Sequence, residues 1–195
     1  MTAIVDYGAG NIFSLCCALE RCGESYTVTS NSSVILNASH VILPGVGEAS
    51  SVMKGIKARN LEKLIKGLEQ PVLGICIGMQ VLCSYSEEGD TEAMGIFDNR
   101  VVSIGGEGLK TPHMGWNRVT GKDSVLLEGV AESEWFYFVH SFAPETGNST
   151  KAVTMYGRLF SSVLEKGNFY GTQFHPEKSG EAGERLMRNF LKIER

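Results

Sequence analysis

"PVLGICIGMQVLCSYS" occupies residues 71–86, and its reading decides the fold. "PVLGI" is a short apolar run without polar alternation, the pattern of a strand buried on both faces. "IGMQVLCSYS" starts a helix directly after it. A strand that runs straight into a helix is half of a parallel β-α-β unit. Cys76 stands on the corner between the two. The C-terminal end of such a strand faces the ligand side of an open α/β sheet. "GICIG" therefore has the shape of the G-x-S-x-G nucleophile elbow, with sulfur in place of oxygen. Gly74 and Gly78 give the clearance that a turn of this kind needs. The helix behind Cys76 is expected to aim N–H groups and a positive dipole end at the sulfur, which favours a thiolate.

The same alternation extends towards the N-terminus. "TAIVD" reads as a strand that ends in the turn "YGAGN". Ile12, Leu15, Cys16 and Leu19 then mark one face of a helix that ends at Gly23. "SYTVT" and "HVILPGVG" read as further strands, the latter running into a glycine-rich loop. Helical patterns follow over Ala49 to Ala58 and Leu61 to Leu68. Strands that alternate with helices imply a mostly parallel sheet flanked by helices. After residue 100 the strand-like segments crowd together: "RVVSI", "WNRVT", "EWFYFVHSF", "KAVTMYG", "LFSSVLE" and "FYGTQF". "EKGN" reads as a hairpin turn. These later strands are expected to be antiparallel or mixed and to extend the same sheet. A last helix covers Gly180 to Ile193. The expectation is one α/β domain over residues 1–195.

Composition narrows the function. The 195 residues are 43% hydrophobic and carry 18 basic against 22 acidic side chains, for a net charge of −4. No basic block appears, which argues against nucleic acid as a main partner. No apolar stretch is long enough to span a bilayer. The start "MTAIVDYGAG" has no signal-peptide pattern and reads as a cytoplasmic start. The five cysteines are an odd number, and no pair has C-x-x-C spacing, so neither a disulfide framework nor a metal site is expected. Cys16, Cys17, Cys22 and Cys83 read as small packing residues. "GAGNIF" fails as a dinucleotide fingerprint, because Phe13 stands where the last glycine belongs. No cofactor is expected.

A cysteine nucleophile needs a base, and the base needs an orienting group. "GTQFHPEKSG" supplies His175 and Glu177 after a late strand, with Pro176 keeping the chain extended between them. His40, His113 and His140 are weaker candidates because none has a carboxylate at this spacing. "LPGVG" (residues 43–47) ends an earlier strand at the same sheet edge. Its backbone N–H groups, at Val46 and Gly47, could join that of Ile77 in an oxyanion hole. Trp116, in the loop-like "PHMGWN", reads equally well as a core residue or as an interface anchor.

Together, "LPGVG", "GICIGMQ" and "HPE", in that order, resemble the class I, triad-type glutamine amidotransferases. The match spans the whole chain. The resemblance implies Cys76 as nucleophile, His175 as general base and acid, and Glu177 as orienting carboxylate. It places Gln80 in a glutamine pocket, with the backbone of Ser141 and Phe142 holding the α-carboxylate and amine. "IVDYGAGNIFS", "PHMGWN" and "YFVHSF" are similar to the glutaminase subunits of imidazole glycerol phosphate synthase. In that branch L-glutamine is hydrolysed to glutamate and ammonia. The ammonia passes to a cyclase subunit, a (β/α)8 barrel, in a heterodimer of histidine biosynthesis. The resemblance puts Asn11, Trp116, Tyr137 and Lys178 at that subunit interface. Other readings are the glutaminase of pyridoxal phosphate synthesis, a free hydrolase of γ-glutamyl bonds, and a regulatory module without activity. "YGAGN" and "PHMGWN" argue against the first two, and the intact Cys76, His175 and Glu177 set against the third.

Overall fold

The computed structural model describes residues 1–8, 12–106, 108–121, 123–132 and 134–194. The first half alternates as the sequence predicts: β1 (Thr2–Val5), α1 (Phe13–Arg21), β2 (Tyr26–Thr29), α2 (Ser32–Asn37), β3 (His40–Leu43), α3 (Ala49–Ala58), α4 (Glu62–Lys66) and β4 (Val72–Ile75). The corner cysteine and α5 (Ile77–Gln80) follow. The second half holds β5 (Tyr85–Ser86), β6 (Thr91–Glu92), β7 (Arg100–Ser103), β8 (His113–Arg118), β9 (Trp135–His140), β10 (Phe142–Pro144), β11 (Thr150–Tyr156), β12 (Arg158–Lys166), β13 (Phe169–Thr172) and α6 (Gly180–Phe190).

The main sheet has seven strands in the order β11-β12-β13-β4-β3-β1-β2. β13, β4, β3, β1 and β2 all run parallel. Alternate residues of the inner strands feed two separate cores. Ala3, Val5, Val41, Leu43 and Val72 pack on one face, with Val52 and Ile56 of α3. Ile4, Ile42, Leu73 and Ile75 pack on the other, with Leu15 and Leu19 of α1 and Leu186 and Phe190 of α6. Because both faces are covered, these strands read as continuous apolar runs.

Three features differ from the sequence expectation. First, α5 is a single turn. The carbonyls of Val81, Cys83 and Leu82 accept from the N–H groups of Met94, Gly95 and Ile96, so the chain leaves the helical ladder there. The stabilising helix dipole expected behind Cys76 is correspondingly short. Second, the late strands divide. β11 and β12 extend the main sheet antiparallel, but β13 joins it parallel to β4. β10, β7, β5 and β6 form a separate sheet, and β8 pairs only with β9 in another. Third, "PHMGWN" forms strand β8 rather than a loop, with Trp116 opposite Tyr137. The "EKGN" hairpin is present, joining β12 to β13 through Lys166 and Phe169 with Gly167 at φ 62°. Cys22 sits just past α1, as its C-cap, rather than within it.

Candidate active site

The C-terminal ends of β3, β4 and β13 lie side by side because these strands are parallel neighbours. β3 delivers Pro44 to Gly47, β4 delivers Cys76, and β13 delivers Gln173 to His175. Cys76 has φ 48° and ψ −109°, a conformation that residues with a β-carbon rarely adopt. Holding it there costs about 1–3 kcal/mol. Close packing enforces the corner. A Cβ on Gly74 would lie 2.6 Å from the Gly78 carbonyl oxygen, and one on Gly78 would lie 2.2 Å from that of Leu43. The Cys76 N–H donates to the Thr172 carbonyl at 2.7 Å, tying the corner to β13.

The imidazole of His175 donates through Nδ1 to Glu177 Oε1 at 2.7 Å. The backbone around it is pinned to β9. The His175 N–H donates to the Tyr137 carbonyl at 2.9 Å. Ser179 Oγ accepts from the Tyr137 N–H and donates to the His175 carbonyl. His175 Nε2 is buried and, among the described residues, has no hydrogen-bond partner. A Cβ on Gly45 would fall 3.0 Å from His175 Cε1 and 3.1 Å from Cys76 Cβ, so the imidazole and the cysteine pack around the same bare glycine. Burial works against an imidazolium here. The Cys76 sulfur and then the Glu177 carboxylate outweigh it and raise the His175 pKa to about 10.

These groups open on a cavity of about 270 Å³. Val46, Gly47 and Ile77 line it, as do Gln80, Ser141 and Phe142. Gln80 is buried, and its side-chain nitrogen donates to the Phe142 carbonyl at 2.8 Å and to Gln173 Oε1 at 2.9 Å. Three residues escaped the sequence reading. Glu88 also lines the cavity; its Oε2 accepts from the Ala49 N–H at 2.8 Å, and burial raises its pKa. The buried Tyr7 hydroxyl donates to the Pro44 carbonyl and anchors the "LPGVG" loop. Gln173 directs its side-chain nitrogen at Cys76 Sγ, 3.5 Å away. "SEEGD" and "GTQF" carry no spacing signal for the first and third, and only the fold brings Glu88 to the cavity and Gln173 to Cys76.

Trp116 is 53% exposed and Met114 beside it 62%, which decides against a core role for that tryptophan. Tyr137 meets Trp116 edge-on, with ring centroids 5.9 Å apart. Lys178 is exposed, three residues after His175, and also lines the cavity. Asn11 lies outside the described residues. The chain thus has an exposed tryptophan, packed edge-on against the half-buried Tyr137, one backbone hydrogen bond away from the His175 loop.

The hydrogen bonds of the other histidines go to groups other than Cys76. His40 Nε2 lies 3.0 Å from the Ile193 carbonyl, far from this cavity in the fold. His113 and His140 form a buried pair, Nδ1 to Nε2, at 3.1 Å. His140 Nδ1 donates to the Phe142 carbonyl at 2.9 Å, so its Nε2 accepts from His113. Burial lowers His113 to about 4; it also lowers His140 to about 3, aided by the charges of His113 and His175. Both rings are neutral in the folded chain, whereas an unfolded chain protonates them below about pH 6.5. The unfolded state therefore binds more protons from about pH 6.5 down to the folded values, and stability falls as pH drops through that window. We expect urea unfolding at pH 5 to show a loss on the order of 2 kcal/mol per histidine relative to pH 7. The His113→Gln/His140→Gln double variant should show a flatter pH dependence. A slope identical to that of the parent would refute the assignment.

Comparison with known proteins gives the family and the fold. The family model described as glutamine amidotransferase class-I matches residues 3–193. The imidazole glycerol phosphate synthase subunit HisH of Bacteroides thetaiotaomicron is 50% identical over 194 residues, covering 98% of each chain. The subunit named HisH 1 in Vibrio vulnificus is 43% identical, covering 97% of each. A solved glutamine amidotransferase superposes with a TM-score of 0.75 at 18% identity, covering 97% of each chain, and shares the fold.

Proposed function

This chain belongs to the class I glutamine amidotransferases, and from that premise we propose that it is a glutaminase subunit of imidazole glycerol phosphate synthase. It hydrolyses L-glutamine and hands the ammonia to a cyclase subunit in histidine biosynthesis. The observation that carries this reading is the buried His175 Nε2, without a partner, on the same cavity wall as Cys76 and backed by Glu177.

The steps follow from the residues. The Cys76 thiolate attacks the side-chain amide carbon of glutamine. The oxyanion forms against the N–H groups of Ile77 and of the Val46–Gly47 segment. His175 gives its proton to the amide nitrogen, and ammonia leaves a thioester. His175, now neutral and held in one tautomer by Glu177, takes a proton from water, which attacks the thioester. Glutamate leaves, and the thiolate–imidazolium pair is restored. Glu88 is suited to the substrate's α-ammonium, and the backbone at Ser141 and Phe142 to its α-carboxylate. Gln80 shapes the wall between them. The steps use the chain's own side chains and backbone N–H groups, together with water. The proposal places residues 1–195 in one working domain, in the cytoplasm, as half of a heterodimer.

The partner face is assigned to Trp116, Tyr137 and Lys178, and by resemblance to Asn11. Free ammonia in water is largely protonated and lost as a nucleophile, so the two active sites need a sealed path. Glutamate release measured with and without the cyclase and its nucleotide substrate tests the reading: strong stimulation is expected. Full activity of the isolated chain, unchanged by the partner, would favour a free-standing hydrolase. Trp116→Ala should weaken the complex by ~2 kcal/mol or more as a central anchor. It should lower stimulated turnover and spare the basal rate; an unchanged Kd by calorimetry would remove Trp116 from the interface.

A further inference from the structure

We propose that Gln173 is a positioning residue for the nucleophile, holding an N–H donor against the Cys76 sulfur; the catalytic part of this inference rests on the glutaminase reading above. Two side-chain amides stand in series behind the cavity, and their orientations are forced from one end. The Phe142 carbonyl can only accept, so the group of Gln80 that lies 2.8 Å from it is the amide nitrogen. That same nitrogen lies 2.9 Å from the Gln173 side chain, which must present its oxygen there. Turning the Gln173 amide over would set donor against donor. Its nitrogen therefore faces Cys76 Sγ at 3.5 Å. His140 Nδ1 also donates to the Phe142 carbonyl, at 2.9 Å, which fixes the start of the series.

The cost of this arrangement points to a purpose. Gln173 is fully buried. An amide in the interior loses its hydration, and an apolar side chain of similar volume would fill the space without that penalty. The sulfur it faces changes charge during the reaction. As a thiol, Cys76 donates only weakly, to the Val139 carbonyl at 3.9 Å. As a thiolate it can only accept, and a fixed N–H then gains strength as a charge-assisted hydrogen bond. Gln173 follows β13, across β4 from β3 and "LPGVG", so it holds Sγ from the side away from that loop. His175 supplies the proton, and Gln173 keeps the sulfur where that proton and the substrate carbon meet.

The test uses Gln173→Met, which keeps the volume and removes the donor, and Gln173→Glu, which keeps the shape. Two readouts are needed. The first is alkylation of Cys76 by iodoacetamide in the isolated chain, followed by mass spectrometry of the Cys76 peptide; it does not depend on what the substrate is. The second is glutamine hydrolysis in the complex with the cyclase and its nucleotide. Loss of one hydrogen bond to a charged group predicts a fall of about ten- to a hundredfold in alkylation rate and in kcat, with KM changed little. Gln173→Glu should be poor at neutral pH and recover relative to the parent as pH falls, when its carboxyl gains a proton to donate to sulfur. That recovery keeps the test open if Gln173→Met folds badly. Alkylation and kcat within twofold of the parent in both variants, with no pH-dependent recovery, would overturn the proposal. Slowed alkylation in a chain whose parent shows no glutaminase activity would uphold the positioning role and sink the glutaminase reading instead.

Discussion

Cys76→Ala is expected to abolish glutamine hydrolysis, a loss on the order of 10⁴-fold or more, as for other nucleophiles that act as a unit with their base. Alanine keeps the β-carbon, so the packing around Gly74, Gly78 and Gly45 is retained. What disappears is the sulfur that faces Gln173 at 3.5 Å and favours the His175 imidazolium. In the complex, the cyclase should still turn over its nucleotide when ammonium salts are supplied, because that chemistry belongs to another chain. Both rates are measured on the same preparation. Glutamine-dependent turnover near the parent level would remove Cys76 from the mechanism. Failure of the variant to co-elute with the cyclase in gel filtration would show that the substitution had broken the complex rather than the chemistry.

The second large effect is structural. Gly78→Ala puts a methyl 2.2 Å from the Leu43 carbonyl oxygen and 2.9 Å from its carbon. Both are backbone atoms of a central strand and cannot rotate aside. Relief requires α5 to lift off β3, and α5 carries the Ile77 N–H and Gln80. A destabilisation of about 3 kcal/mol or more is expected, at the upper end of overpacking effects, with activity lost even in folded material. Gly106→Ala is the control, since nothing lies within 4 Å of the added methyl there. Guanidinium unfolding of the two variants checks the contrast; equal midpoints would show that the corner has more slack than its geometry implies.

The parts legible in the sequence were those carried by local pattern. "PVLGI" followed at once by "IGMQ" announced the strand and the corner that carries Cys76. "HPE" announced a histidine with a carboxylate two residues on, and the 2.7 Å contact between His175 and Glu177 is that spacing realised. The length of α5 was not legible. It is set by carbonyls of Val81, Leu82 and Cys83 pairing with Met94 to Ile96, contacts between segments more than ten residues apart. Nor was the division of the late strands, since "WNRVT" and "KAVTMYG" have similar alternation but join different sheets. Glu88, Tyr7 and Gln173 were invisible for the same reason. Each acts through a partner far away in sequence, and neither its type nor its neighbours mark it.

The backbone of Cys76 bears on how such a protein can be improved. At φ 48° and ψ −109°, the residue that suits this position best for folding alone is glycine. The reactive sulfur is held there against the chain's own preference. Laboratory evolution for heat tolerance, scored only by folded yield, would therefore reward an inert protein at this one position before touching any other part of the cavity. Libraries built on this scaffold should fix residue 76 at the outset and seek their stabilising changes on surfaces away from the ends of β3, β4 and β13.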